Sequence, residues 1–328
     1  MAPTGWGIAG LGRIAALVAD DLPHVADAEL VAVGSRTPAH AEAFAREHGA
    51  RRAHGSYAEL IADPEVEVVY VATTHPQHHA IALASIRAGK GVLVEKAFTA
   101  TLAGAQEIAA AARERGVFAM EAMWTRFQPA VVRARELIAE GAIGPVFTVQ
   151  AELGLGREYD PADRLFAPEI GGGVLLDTAV YPVSLAQMVL GTPDSVAAVG
   201  ALAPNGVEVA ATLLLGYEDG RSATLTTSLH TYLPGAARIY GRDGWIEIPP
   251  RFHHPTRLVL HRDGDTVEEH PPIGRGYAHE LIEVTERMRA GATESEVMPL
   301  DDTLAVMSVL EQAATQLGVT WAEDDSVL

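Results

Sequence analysis

The chain has 328 residues, 48% hydrophobic and 20% charged, a composition that fits a globular protein large enough for two domains, each with its own core. Its formal net charge of −19 argues against nucleic acid and against an anionic membrane surface as partners, while leaving room for a local basic pocket. There is no cysteine, which excludes disulfides, thiol nucleophiles and Cys–zinc centres.

The first ten residues, MAPTGWGIAG, lack the basic segment and apolar run of a secretory signal, and no run approaches the roughly 20 apolar residues of a membrane helix. A cytoplasmic protein is the expectation. Residues 6–9 are a short apolar run entering Gly10-Leu11-Gly12, and residues 13–19 have helical composition. A second apolar run, 29–33, ends in Gly34-Ser35-Arg36. Residues 38–48 read as a helix, with Pro38 in its first turn and Gly49 past its end. A third strand, 66–72, closes on Thr73-Thr74-His75-Pro76, and a helix over 78–88 follows. A strand at 92–94, a helix at 101–115 and a strand at 117–120 continue the alternation. Strands alternating with helices of this length predict a doubly wound parallel sheet covered on both faces, an α/β class.

The texture then changes. Residues 129–140 read as a helix, and 146–155 alternate as a strand does. From about 196 to 270, strand-like runs are punctuated by turn sequences such as Glu218-Asp219-Gly220 and Arg262-Asp263-Gly264, which predicts an antiparallel sheet. Helices are predicted at 277–289 and 301–317. The domain division falls at 1–122 and 123–328, with the last helix a candidate to pack back on the first domain.

Gly10-Leu11-Gly12-Arg13-Ile14-Ala15 has the form G-x-G-x-x-A between a strand and a helix. Gly10 permits the turn, Gly12 lets the backbone approach a pyrophosphate, and Ala15 keeps helix and strand close. The helix N-terminus then favours the diphosphate charge. An NAD site presents Asp or Glu at the end of the second strand; here the residues are Ser35, Arg36 and Thr37, which suit a 2′-phosphate. NADP is therefore expected rather than NAD, with Arg13 and His40 as helpers. Thr73, His75 and His78 follow the third strand, at the edge where open α/β sheets bind ligands. The HPQHH cluster lacks a further ligand at metal spacing, so these residues are read as lining the cofactor groove and no metal is expected.

Glu95-Lys96 ends the strand after residue 91. Lys96 is one of two lysines in a chain that otherwise uses Arg, and burial can tune an ammonium toward neutrality where it cannot tune a guanidinium. Downstream, Gly171-Gly172-Gly173 marks close backbone approach or an unusual turn. Asp177 and Tyr181 follow four apart, on one helical face, and Pro182 is expected to bend that helix.

The glycine fingerprint, Glu95-Lys96 and GGG-x-x-x-D-x-x-x-Y together resemble the glucose–fructose oxidoreductase/inositol dehydrogenase (Gfo/Idh/MocA) family. Within it, THPQH (74–78), EAMWTRF (121–127), Arg164-Leu165-Phe166 and Gly276-Tyr277 with Glu280 resemble the dimeric dihydrodiol dehydrogenase and NADP-dependent D-xylose dehydrogenase branch. The resemblance spans nearly the whole chain. It implies an N-terminal Rossmann domain and a C-terminal α/β domain whose open, mainly antiparallel sheet commonly forms a dimer or dimer-of-dimers interface. It assigns Lys96, Asp177 and Tyr181 to catalysis and places Glu95, Trp124 and Arg126 near the cofactor, with Arg164 a candidate to reach it. Tyr277 would border the substrate. The family reads Glu-Lys-Pro where this chain has Ala97.

Such an enzyme moves a hydride between nicotinamide and a secondary alcohol or hemiacetal carbon. Tyr181 is read as proton donor and acceptor with Lys96 as its electrostatic partner; Lys96 as the direct base stays open. Trp124, Phe127, Phe166 and Tyr277 offer aromatic faces, and Arg126, Arg164 and Asp177 polar edges, which fits an aldose such as xylose or glucose, or a cyclic trans-dihydrodiol. The alternatives are an inositol-type or other polyol dehydrogenase, and a non-catalytic NADP-binding sensor.

Overall fold

The computed structural model describes residues 2–328, which divide into two compact units: residues 2–122 with Ile273–Thr303 and Ala322–Leu328, and Met123–Pro272 with Leu304–Trp321. The cut after Ala122 coincides with the change in sequence texture. Residues 273–303 and 322–328, which the sequence reading leaves with the second half, group with the first unit.

The first unit begins with β1 (Thr4–Ala9), every residue of which is buried. It continues through α1 (Arg13–Asp21), β2 (Ala28–Gly34), α2 (Pro38–His48), β3 (Arg52–His54), α3 (Tyr57–Ala62), β4 (Val68–Val71), α4 (His75–Arg87), β5 (Gly91–Glu95), α5 (Leu102–Arg115) and β6 (Ala119–Ala122). The six strands form one parallel sheet in the order β3-β2-β1-β4-β5-β6. Strands buried on both faces need the continuous apolar runs seen in β4 (VVYV) and β5 (GVLV), and helices supply the cover. The strand order reverses at β1 and β4, which opens a crevice at their carboxyl ends. Gly10, at φ +88°, makes the turn out of β1; a Cβ there would stand 2.9 Å from the Ala72 carbonyl oxygen.

Two elements of this unit are absent from the sequence reading. β3 is three half-buried residues at the sheet edge, without an apolar run to betray it. α3 is six residues long, capped by Ser56, whose hydroxyl accepts the Glu59 N–H. The helix predicted from His78 starts at His75, with Pro76 in its first turn where no N–H is needed.

The second unit contains α6 (Pro129–Ala139), β7 (Val146–Leu155), α7 (Val180–Leu190), β8 (Ser195–Leu202), β9 (Glu208–Gly216), β10 (Ser222–Ser228), β11 (Tyr232–Leu233), β12 (Ala237–Gly241), β13 (Trp245–Ile248), β14 (Arg257–His261) and β15 (Asp265–Glu269). The sheet runs β15-β14-β13-β12-β7-β10-β9-β8, with β11 against β7. Every neighbouring pair is antiparallel except β7 with β10. α6 and α7 pack against this sheet. In β9 the residues alternate, with Leu213 and Leu215 buried and Leu214 52% exposed. Of the last two helices, α8 (Ala278–Arg289) lies in the first unit, whereas α9 (Leu300–Leu317) joins it only through its first residues.

The helix carrying Asp177 and Tyr181 is not α-helical throughout. Residues Leu175–Ala179 form a π-helical turn and α7 continues directly from it. Proline has no N–H to donate back, so widening the turn before it removes the conflict without breaking the helix. The run Pro168–Leu190 is apolar and long enough by composition to cross a membrane, contrary to the sequence expectation, but 83% of its most apolar window is buried inside the protein.

Candidate active site

In the first unit the carboxyl ends of β1, β2, β4 and β5 bring Gly10, Ser35, Thr73 and Lys96 to one edge of the sheet. Gly12, exposed and extended at φ −82°, begins α1, and a Cβ on it would meet no protein atom within 4 Å. Packing therefore gives no reason for glycine there, whereas a ligand approaching the backbone does. α1 has no side-chain cap and no acidic residue in its first turn, so the N–H groups of Arg13 and Ile14 face an anion without competition. Leu11 is buried and Arg13 exposed.

At the end of β2, Ser35 is buried and its hydroxyl accepts the Thr37 N–H, shaping the turn into α2. Arg36 is exposed, with its guanidinium near the Tyr57 phenol. Burial raises the Tyr57 pKa while Arg36 opposes the rise. No carboxylate stands in this turn. After β4, the Thr73 hydroxyl oxygen is buried with no hydrogen-bond partner among the described residues. Such an orphaned group, together with the bare Gly12 and the uncapped helix, fits a dinucleotide cofactor.

Lys96 sits half-buried immediately after β5, and its peptide bond to Ala97 is cis. Three contacts hold this turn. The Lys96 N–H donates to Glu95 Oε2 at 3.2 Å, and the Tyr70 hydroxyl donates to Glu95 Oε1 at 2.5 Å. The Phe98 N–H donates to Glu121 Oε1 at 3.1 Å. Glu95 thus serves as an internal anchor for the lysine backbone. Tyr70 is fully buried, and its pKa is raised by burial and by the neighbouring Glu95. Lys90, the other lysine, donates to the carbonyls of Asp63 and Val66, a packing role.

His78 departs from the groove-lining role expected of it. It is 1% exposed, with Nδ1 3.0 Å from the Ala97 carbonyl oxygen and Nε2 3.3 Å from that of Thr73. The neutral ring has one N–H, so it donates to one of these carbonyls while packing against the other, between the loops after β4 and β5. Burial lowers its pKa to about 4, opposed by those carbonyls. His75 lies at the helix start with its ring 5.7 Å from that of His78. The described residues contain no group of three side chains arranged to hold a metal.

Tyr277, 9% exposed, is in the same unit at the start of α8, its N–H bound to the Asp21 carboxylate. Asp21 also accepts the N–H groups of Arg275 and Ala278, so it caps α8 from a distant segment.

In the second unit the triple glycine makes the close approach its composition implies. Gly172 and Gly173 donate to the carbonyls of Ala167 and Leu165, and a Cβ on Gly172 would stand 2.7 Å from the Arg164 carbonyl oxygen. Asp177, in the π turn, receives Arg164 Nη2 on both oxygens at 3.3 Å. Tyr181 lies 5.2 Å, ring to ring, from His253, and Trp124 stacks on His254 at 4.7 Å. The two histidines carry no spacing signal in sequence; the fold brings His253 to the tyrosine and His254 to Trp124.

Two residues expected at the ligand are almost wholly enclosed by protein. Arg126 is 1% exposed, with Nε bound to the Ser184 hydroxyl and Nη2 to Gln187 Oε1, tying the segment before α6 to α7. Phe166 is fully buried, edge-on to Tyr159 at 5.3 Å. Phe127 is 7% exposed. The family resemblance places Arg126 near the cofactor and Phe166 offers an aromatic face, but core packing and buried donors compete for the same residue types.

Residues 4–123 match the model of the oxidoreductase family with an NAD-binding Rossmann fold, and residues 131–247 match the GFO/IDH/MocA C-terminal domain. This chain belongs to the GFO/IDH/MocA oxidoreductase family. The trans-1,2-dihydrobenzene-1,2-diol dehydrogenase of Mus musculus is 37% identical over 97% of this chain and 98% of its own, and that of Xenopus tropicalis 36% over 97% and 99%. Among solved structures, the aldose-aldose oxidoreductase of Caulobacter crescentus superposes with a TM-score of 0.87 at 25% identity, covering 96% of this chain and 98% of that one. A 3-ketoreductase from Actinomadura kijaniata in complex with NADP gives 0.83 at 25% identity over 98% and 99%. The chain is accordingly an NAD(P)-dependent dehydrogenase with a Rossmann cofactor domain. Structural relatives hold NAD in one case and NADP in another.

The buried His78 ring yields a test. Its folded pKa lies below the ordinary 6.5, so its contribution to stability is present above pH 6.5 and lost as pH falls toward 4. His78→Asn should flatten the stability–pH curve in that window, by on the order of 3 kcal/mol between its ends, as measured by denaturant unfolding. An unchanged slope would remove His78 from the acid response.

Proposed function

We propose that this dehydrogenase uses NADP to oxidise a secondary alcohol or hemiacetal carbon of an aldose or a cyclic trans-dihydrodiol. The observation that carries the cofactor choice is the turn after β2, where Arg36 stands exposed and a carboxylate is missing. A guanidinium binds a 2′-phosphate through paired charge-assisted hydrogen bonds, whereas a carboxylate would repel it. The dihydrodiol dehydrogenases, alike over 97% of the chain, support the substrate class.

Gly10, Leu11, Gly12, Arg13 and Ile14 hold the diphosphate in this reading. Ser35, Arg36 and Thr37 take the 2′-phosphate, and Thr73 and His75 border the nicotinamide half. When bound, the nicotinamide supplies the hydride acceptor. Tyr181 takes the alcohol proton. A free phenol, with a pKa of about 10, is a poor base at neutral pH, and the Lys96 ammonium lowers that barrier by favouring the phenolate. Asp177, oriented by Arg164, accepts hydrogen bonds from substrate hydroxyls, and Trp124 and Tyr277 give the ring an apolar face.

Lys96→Ala should lower kcat by roughly 10²–10⁴-fold while NADP binding, followed by fluorescence, survives. Tyr181→Phe separates the two proton assignments: loss of the acidic limb of the pH–rate profile for alcohol oxidation in this variant supports Tyr181, and its survival transfers the role to Lys96. An absorbance screen of NADP reduction against aldoses, inositols and cyclic diols identifies the substrate. Flat traces beside tight cofactor binding would mean a sensor instead.

Arg36→Asp should reduce the NADP/NAD ratio of kcat/KM by on the order of 100-fold. A ratio that stays put would overturn the assignment of the β2 turn.

A second copy of the chain is the proposed partner of the C-terminal sheet. Val199, Leu202, Leu214 and Tyr232 are 70%, 46%, 52% and 75% exposed, more apolar surface than a sheet facing only water usually carries. Leu214→Asp should shift sedimentation from dimer to monomer; a wild-type monomer would end this part of the proposal.

A further inference from the structure

Beneath the triple-glycine turn lies a carboxyl group that the proposed chemistry does not use. Glu208, the first residue of β9, is fully buried. Its Oε1 accepts the Leu175 N–H at 3.1 Å, and Leu175 opens the π turn that carries Asp177 and runs into the helix of Tyr181. Its Oε2 has no donor among the described residues.

Gly173 is shaped around this group. It adopts φ +120°, and a Cβ there would stand 2.2 Å from Oε1 and 2.6 Å from Oε2. The carboxyl group fills the place a side chain would take, so the last glycine of the motif and Glu208 specify one another. A buried acid is costly to retain, and an apolar residue would fill the space more cheaply.

We propose that Glu208 is a positioning residue for Asp177 and Tyr181, its carboxyl group fixing the start of their shared helix through the Leu175 amide. The proposal rests on the dehydrogenase reading above and adds a residue to it. An N–H donates more strongly to a carboxylate than to a neutral carboxyl group, and the amino end of a helix favours negative charge. Ionisation therefore tightens the anchor. Burial raises the Glu208 pKa to about 7, opposed by its own N–H and that of Leu175, so the anchor changes strength in the neutral range. Of the elements packed against β9, namely β8, β10 and the π turn, only the last carries a titratable side chain, Asp177, which is paired with Arg164. A raised acid pKa means that this group's stabilising contribution is complete below about 4.5 and is lost as pH rises through about 7.

Glu208→Gln keeps the size and an acceptor but does not titrate; Glu208→Leu removes the acceptor. Expected for the Gln variant is loss of a kcat limb near pH 7, with KM for NADP unchanged and stability at pH 8 no lower than wild type. Expected for the Leu variant is a kcat lower by roughly 10–100-fold and hydrogen exchange at least about 10-fold faster over residues 175–181. If the Leu variant fails to fold, the Gln pH profile and the pH dependence of wild-type exchange over 175–181 decide the matter. Wild-type pH profiles and exchange retained in both variants would overturn the proposal. A wild type that binds NADP and turns over no polyol would sink the dehydrogenase reading alone, since the exchange measurement still reports whether Glu208 holds this helix.

Discussion

The Glu95 carboxylate at the end of β5 is the constraint on which the Lys96 turn of the first unit depends. It is 8% exposed and takes a hydrogen bond from the Tyr70 phenol on the adjacent strand. That bond fixes its second oxygen under the Lys96 amide. The lysine backbone is thereby tied to the interior of the sheet rather than to the surface loop that follows. His78 adds a second tie from the loop after β4. A four-carbon side chain with three rotatable donors can be placed reproducibly only if its backbone is.

Acid is concentrated around this anchor. Glu280 on α8 is fully buried, and its pKa is pushed well above the carboxylate range by burial, then by Glu95, Asp21 and Glu121. Like charges that share a dry space oppose the ionisation of the most deeply buried acid.

The second unit repeats the device with different parts. Glu208 holds the Leu175 amide as Glu95 holds that of Lys96, and in both cases the residue fixed is at, or just before, a side chain assigned to chemistry. The π turn and the triple glycine are the backbone's response to two local impossibilities. Pro182 cannot donate, and Gly173 has no room for a side chain.

The sequence determined the alternation of strand and helix, the glycine turn, the absence of an acid after β2, and the pair Asp177 and Tyr181, because these follow from periodicity, backbone freedom and spacing within a few residues. It did not show β3 and α3, which are too short and too polar at the sheet edge to leave a periodic trace. Nor could it assign α8, whose cap comes from Asp21 more than 250 residues away. Arg126 and Phe166 looked available for a ligand and are spent on packing. The contacts of His78, His253 and Glu208 were likewise decided only in three dimensions. Burial and hydrogen-bond partners are properties of segments that meet in space, and local sequence carries no record of who the partner is.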